Sequence, residues 1–264
     1  MKDRQVRLWT VGLAVAMLLV GVALARLLWK TGDDGTLERV QATGELRVGV
    51  DASFPPFESL DGEGKVVGFD ADLARAVANR LGAEPVFVNV GFDGLYDALL
   101  AGRVDAIISG LPYDPRRTQD VIYSEPYFNA GQVLVVRADD ESYAGREWLA
   151  GQTVAVEWGS LADMEARRLT ESARGMQRLP QPTAQDALNA LSAGRADAAI
   201  ADAVSVHQFI GERGRELRIV ETLTDEPYVI AVRLKSPQLA EAIDAALREL
   251  RQRGLLDELE ARWF

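Results

Sequence analysis

Apolar and polar positions along this chain follow two rhythms that recur in a fixed order. Val48-Gly49-Val50-Asp51 and Val154-Ala155-Val156-Glu157 are short apolar runs that end in an acid, the form of a buried strand reaching the edge of a core. Leu99 to Gly110, LLAGRVDAIISG, and Leu191 to Asp202, LSAGRADAAIAD, repeat one another. Each predicts a helix end closed by glycine (Gly102, Gly194), a turn, and a buried strand beginning at Asp105 or Asp197. Between the strands the spacing is helical. Leu73, Val77 and Leu81 share a face behind Asp70 as cap, and Leu161, Met164 and Leu169 share one behind Ser160, while Thr183 with Asp186 has the form of a capping box. Alternating strands and helices predict an α/β fold of mainly parallel sheets covered by helices, and the duplication predicts two similar lobes. Ligands of such sheets sit beyond the carboxyl ends of the strands. That places Asp51 and Ser109-Gly110 in one lobe, and Glu157 and Ala201-Asp202 in the other, along a shared cleft.

A final helix starts at Ser236-Pro237 with Leu239, Ile243, Leu247 and Leu250 on one face, and is followed by Gly254 and the closing Trp263-Phe264. It is expected to return to the first lobe. The chain then crosses between lobes twice, near Asn129 to Gln132 and near Thr224 to Tyr228, and two crossing strands make a hinge. The expected lobes are residues 37–130 with 225–264, and residues 131–224.

The N-terminus has a different pattern. Leu8 to Ala25 is uncharged throughout, with Lys2, Arg4 and Arg7 before it and Arg26 after it. This run within residues 1–30 reads as a membrane-spanning anchor whose flanking charge keeps the N-terminus in the cytoplasm and places the rest of the chain outside. Ala23-Leu24-Ala25 also has the small-residue form of a cleavage site, which makes a removed signal peptide the alternative. Thr31 to Thr36, TGDDGT, reads as a short flexible spacer.

Composition narrows the chemistry. The chain carries 29 basic and 40 acidic residues, and without the first 30 the formal balance is −15. No basic stripe is available for a phosphate backbone, so nucleic acid is not an expected partner. With no cysteine, disulfides, thiolate metal sites, cysteine nucleophiles and lipid attachment through an N-terminal cysteine are excluded. The single histidine, His207, argues against a serine triad or a histidine-rich metal site, and its helical position suits surface or core better than a ligand site. No cofactor or metal is expected.

A resemblance becomes specific where several motifs stand in order: Gly44-Glu45-Leu46-Arg47-Val48-Gly49-Val50-Asp51, Phe54-Pro55-Pro56-Phe57-Glu58, Gly68-Phe69-Asp70-Ala71-Asp72-Leu73 and Phe92-Asp93-Gly94-Leu95. They continue through Asp114-Pro115-Arg116-Arg117, Tyr123-Ser124-Glu125-Pro126-Tyr127 and Asp225-Glu226-Pro227-Tyr228 to Trp263-Phe264. From about Leu37 onward the chain resembles the family 3 extracellular solute-binding proteins, receptors of polar amino-acid ABC importers. The resemblance implies a two-lobed type II periplasmic-binding fold, a monomer outside the cytoplasm, an amino acid as ligand and an ABC permease as partner. By position, Arg117 matches the arginine that grips the ligand's carboxylate, and a guanidinium pairs with a carboxylate through two parallel bonds. Asp202 matches the acid that receives the α-ammonium. Ser109 and Gly110 match positions that offer backbone groups, Ser160 a hydroxyl, and Phe54 and Phe92 aromatic walls that cover an aliphatic stem or a cation.

Two positions depart from the family pattern. Pro112 stands where a threonine or serine usually reaches the carboxylate, and proline supplies no donor. Trp158 occupies a loop that commonly carries small or polar residues. Structural readings compete at several positions: Asp202 as a helix cap, Asp51 as a cap for local backbone, Glu157 as partner to a nearby arginine, and Phe54 and Phe92 as ordinary core. The repeated Asp105 and Asp197 favour a structural turn. Two acids, Asp51 and Glu157, facing one cleft favour a positively charged ligand side chain, so a basic amino acid is the first expectation and glutamine or another polar amino acid the next. Two other functions fit the same fold: a cyclohexadienyl dehydratase, with Glu157 as its proton donor, and the sensing module of a receptor.

Overall fold

The computed structural model describes residues 32–214 and 216–264, so the apolar run Leu8–Ala25 lies outside the described residues. Among those described, no helix is long and apolar enough to cross a membrane.

In chain order, α1 (Thr36–Thr43) turns at Gly44 into β1 (Glu45–Val50), followed by the small antiparallel strands β2 (Ser53–Phe54), β3 (Glu58–Leu60) and β4 (Val66–Val67). Next come α2 (Phe69–Arg80), β5 (Glu84–Asn89), α3 (Leu95–Leu100), β6 (Ala106–Ile107) and β7 (Val121–Tyr123). The chain crosses at β8 (Phe128–Asn129) into β9 (Gln132–Arg137), β10 (Thr153–Glu157), α4 (Leu161–Thr170), β11 (Gln177–Gln181), α5 (Ala184–Ser192), β12 (Ala198–Asp202), α6 (Ala203–Arg213) and β13 (Leu217–Thr222). It returns along β14 (Pro227–Tyr228), antiparallel to β8, to β15 (Ala231–Arg233), α7 (Pro237–Gln252) and α8 (Leu255–Trp263).

Two five-stranded sheets result, ordered β5-β1-β6-β15-β7 and β11-β10-β12-β9-β13. Each has three parallel strands, and a fourth strand that runs antiparallel to both of its neighbours. The duplication read in the sequence is therefore a duplicated sheet, and the molecule is a two-lobed α/β protein.

The repeated aspartates explain part of the pattern. Asp105 N donates to the Arg47 carbonyl (2.8 Å) while its carboxylate accepts the Arg47 N–H (2.9 Å), and Asp197 makes the same pair of bonds with Thr153 (2.8 and 2.8 Å). In each lobe an aspartate thus brackets the starts of two adjacent parallel strands. Asp105 is fully buried and also pairs with the Arg39 and Arg47 guanidinium groups.

Three expectations need correction. Asp70 is not a cap, because the helix starts at Phe69 with Gly68 (φ 135°) before it, and Asp70 turns inward. On α4 the buried positions include Ala162, Ala166 and Leu169, whereas Leu161 and Met164 are exposed. Small alanines with Leu169, not Leu161 and Met164, join the core of the second lobe. Of the stretch read as a spacer, Asp33 and Asp34 are fastened down: the Asp34 carboxylate accepts from Thr36 and Ser236 and pairs with Arg233 at 3.0 Å.

Phe57 is the hub of the core beside the crossing. The rings of Phe54, Phe69, Phe128, Tyr228 and Phe264 surround it with centroids 5.1 to 5.8 Å away. Phe264 continues this cluster to His207 on α6 (5.5 Å), and Val206 and Phe209 belong to the same buried cluster. A β-carbon on Gly211 would lie 2.1 Å from the Phe264 carbonyl oxygen, so the chain end is packed directly on lobe 2 backbone. One apolar core therefore runs through the junction between the lobes.

Candidate ligand-binding site

The strand ends singled out by the sequence form two separate surfaces. In the first lobe, β1 ends at Asp51, whose carboxylate accepts the Ser53 hydroxyl (2.7 Å) and the Phe92 N–H (2.8 Å). Asp51 thereby fixes the short 3-10 turn Phe92–Gly94 and the Phe92 ring that it carries. Phe54 is stacked on Phe57 (5.3 Å, 7°) and remains 40 % exposed, and Phe92 is similarly open. Both rings present a face to solvent, as walls of a site do and core residues do not.

Ser109 and Gly110 follow β6, and the Ser109 hydroxyl and the Gly110 N–H are already engaged. The Ser109 hydroxyl accepts the Asp51 N–H (2.9 Å) and donates to Glu58 (2.6 Å), and the Gly110 N–H donates to Asp70. Gly110 has φ 48° and lies under the Phe54 ring, a conformation and a closeness that favour glycine.

Arg117 ends the 3-10 turn Pro115–Arg117, which Asp114 caps by accepting the Arg116 N–H. Its guanidinium lies 4.7 Å from the centre of the Tyr96 ring, and the Tyr96 hydroxyl is bonded to that of Tyr123 (2.7 Å). The nearest carboxylate, Asp120, is 4.0 Å away, so the guanidinium has a supporting surface and no tight partner. Neighbouring Arg116, by contrast, is bound to Asp114 at 2.9 Å. Tyr96 was not singled out by the sequence, because its link to Arg117 spans 21 positions and two elements. Pro112, where a hydroxyl was expected, forms a bridge to Tyr228 on the return strand β14.

In the second lobe a concavity of about 200 Å³ is lined by Gln132, Glu157, Ser160, Leu161, Ala201 and Asp202, among others. Ser160 caps α4 by accepting the Asp163 N–H (3.2 Å), and its hydroxyl donates to the Glu157 carbonyl (2.8 Å). Asp202 caps α6, accepting the Ser205 N–H (2.8 Å) and hydroxyl (2.7 Å). The cap reading of Asp202 is thus realised, and the residue also lines the concavity. Glu157 makes no side-chain hydrogen bond or ion pair among the described residues, contrary to its reading as partner to a nearby arginine. Gln132, which was not singled out, lies opposite Asp202 in the β9–β12 register.

His207 is packed between Phe128 (5.9 Å) and Phe264 (5.5 Å), and burial lowers its pKa. It is a junction residue and no part of either surface. A larger cavity, about 860 Å³, lies between α6, β13 and α8 and includes none of the strand-end residues.

No hydrogen bond or ion pair joins the two strand-end surfaces among the described residues, and Trp158, beside Glu157, is 72 % exposed. A two-lobed α/β fold, a two-strand crossing and a strand-end surface in each lobe have the form of a solute-binding protein. Residues 46–264 match the family model of bacterial extracellular solute-binding proteins, family 3, and the chain belongs to that family.

Among its relatives, the L-arginine-binding protein of Pseudomonas aeruginosa is 30 % identical over 237 residues, covering 87 % of this chain and 91 % of that one. An ancestral arginine-binding protein bound to arginine is 37 % identical, covering 84 % of this chain and 98 % of that one, with a TM-score of 0.50. The L-cystine solute receptor of Neisseria gonorrhoeae, in its unliganded open conformation, is 26 % identical, covering 87 % and 96 %, with a TM-score of 0.75. The more distant sequence is the nearer shape.

Proposed function

We propose that this protein is the extracytoplasmic receptor of an amino-acid ABC importer and that its ligand is a basic amino acid, with L-arginine the first to test. The observation that carries this reading is the charge of the second-lobe concavity. Glu157 and Asp202 are its only charged lining groups. Two carboxylates brought to one closing site favour two positive charges in the ligand, which an α-ammonium and a cationic side chain supply. Arg117, propped on Tyr96 and without a tight partner, takes the α-carboxylate from the opposite lobe. Phe54 and Phe92 cover the stem between these charges. The names of arginine-binding relatives agree with this charge pattern.

Closure on the ligand converts the separate surfaces into one site, and the closed form docks on a permease. We also infer that Leu8–Ala25 tethers the receptor to the outer face of the membrane. Mass spectrometry of the exported protein tests the tether, since a mature N-terminus at Arg26 removes it.

Screening the common amino acids by thermal shift, then by calorimetry, tests the main reading. Ligand that binds only the native state must raise the melting temperature, and absence of a shift with every amino acid defeats the proposal. Arg117→Ala is expected to lower L-arginine affinity by about 2–3 kcal/mol, the worth of hydrogen bonds to a charged group, while leaving the melting temperature of the unliganded chain unchanged. Glu157→Gln is expected to weaken L-arginine more than L-glutamine, because only the former offers a cationic side chain. Equal losses would remove Glu157 from the specificity pocket.

A further inference from the structure

Two acids lie together beneath the ligand-facing corner of the first lobe. Glu58, at the head of β3, is 1 % exposed, and Asp70, in the first turn of α2, is fully buried. Glu58 Oε1 accepts the Ser109 hydroxyl, and Asp70 Oδ2 accepts the Gly110 N–H and the Tyr127 hydroxyl (3.0 Å). The second oxygen of each acid, Glu58 Oε2 and Asp70 Oδ1, has no donor among the described residues. The two acids are held side by side: their partners Ser109 and Gly110 are consecutive, and the Asp70 N–H donates to the carbonyl of Phe57, the residue before Glu58 (2.9 Å). The other titratable groups that face the pair are Asp51, Tyr127 and Tyr228, and no arginine or lysine pairs with either acid among the described residues. Two ionised carboxylates here would set lone pair against lone pair in a buried position that no arginine or lysine neutralises among the described residues. One proton between them turns that repulsion into a charge-assisted hydrogen bond.

We propose that Glu58 and Asp70 share one buried proton, and that this proton-bridged pair positions the ligand site by holding Ser109 and Gly110 against the loop that carries Asp51 and Phe54. The pair joins four parts of the fold: β3, α2, the end of β6, and Tyr127 at the start of the crossing. It also fixes the direction of a hydrogen-bond chain, in which the Asp51 N–H donates to Ser109 and the Ser109 hydroxyl donates to Glu58. Loss of the proton places a second negative charge in the pair, drives β3 from α2, and releases the corner on which Phe54 rests. Burial raises the affinity of both acids for protons, in the same direction.

The binding consequence rests on the amino-acid receptor reading, whereas the proton itself does not. Infrared spectroscopy of the full chain at pH 8 is expected to show a protonated-carboxyl band that is absent from Glu58→Gln. In that variant the amide donates to Asp70 and its oxygen accepts from Ser109, so the corner stays in place without a proton. L-Arginine affinity of Glu58→Gln at pH 7 is expected within about threefold of the wild type. The ratio of wild-type to variant affinity is then expected to fall by about fourfold by pH 10.5, the yield of one linked proton half a pH unit above a value of about 10. Both proteins meet the same ligand ionisation, so the ratio isolates the pair. Absence of the band in the wild type, or a flat ratio, overturns the proposal. If Glu58→Gln does not fold, Asp70→Asn replaces it in both measurements, its amide donating to Glu58 and its oxygen accepting from Gly110 and Tyr127, with the same expectations. A wild type that binds no amino acid defeats the receptor reading, and the infrared result still decides the proton.

Discussion

A β-carbon at Gly110 would lie 2.9 Å from Phe54 Cε1, on a backbone with φ 48°. Gly110→Ala is therefore expected to cost about 1–2 kcal/mol of stability and to weaken ligand binding further by tilting the aromatic wall, measured by denaturant unfolding and calorimetry. An unchanged affinity would remove Phe54 from the site. The two buried acid systems respond to pH with opposite signs. At Asp105, burial raises the pKa, but the hydrogen bonds from Arg47 and Arg39 outweigh it and leave the group below its ordinary value. Its stabilisation is present above the unfolded value of about 3.8 and is lost as the pH falls through the lower folded value. Glu58 is held up by burial and by neighbouring Asp70, to about 10. Its contribution is complete below about 4.5 and is lost as the pH rises to its folded value. Glu58→Gln should therefore flatten the decline in unfolding midpoint between about pH 4.5 and 10, and leave the fall at lower pH, which belongs to Asp105, as it is. The sequence made Asp105 legible, because its repetition at Asp197 marks a structural need that both lobes share. Asp70 was not legible, since a helix cap and an inward-facing acid look alike until Gly110, 40 positions away, is found bonded to it.

Among the elements, α4 shows where hydrophobic spacing misleads. Leu161, Met164 and Leu169 fall close enough to one face to predict a buried stripe, yet only Leu169 is buried, beside Ala162 and Ala166. Leu169→Ala is expected to cost about 2–4 kcal/mol, whereas Met164→Lys should stay within about 0.5 kcal/mol of wild type, both by denaturant unfolding. A large loss from Met164→Lys would mean that this face has a partner within the protein. The strands were easier to read than the helix face, because an apolar run closed by an acid has one interpretation when it recurs in the same order. Strand ends, helix caps at Ser160 and Thr183, and the terminal helix all emerged from local pattern. The support of Arg117 by Tyr96 did not, since no local rhythm ties a turn to a helix on the other side of β6.

At the scale of the whole molecule, the crossing is a place where cores merge. Phe264 and Phe128 meet Phe57 of the first lobe and His207 of the second, and Val133, Val206 and Phe209 share their cluster. The unliganded chain is therefore expected to unfold in a single cooperative transition, followed by calorimetry or by intrinsic fluorescence. Two resolved steps would show that the lobes are independent. The sheet orders add a consequence for how the chain comes into being. All five strands of the second sheet come from an unbroken stretch, residues 132–222, but β15, which stands between β6 and β7 in the first sheet, is supplied by residues 231–233. The first lobe can thus complete its sheet only after residues 231–233 have been synthesised, and its aromatic hub only after Phe264.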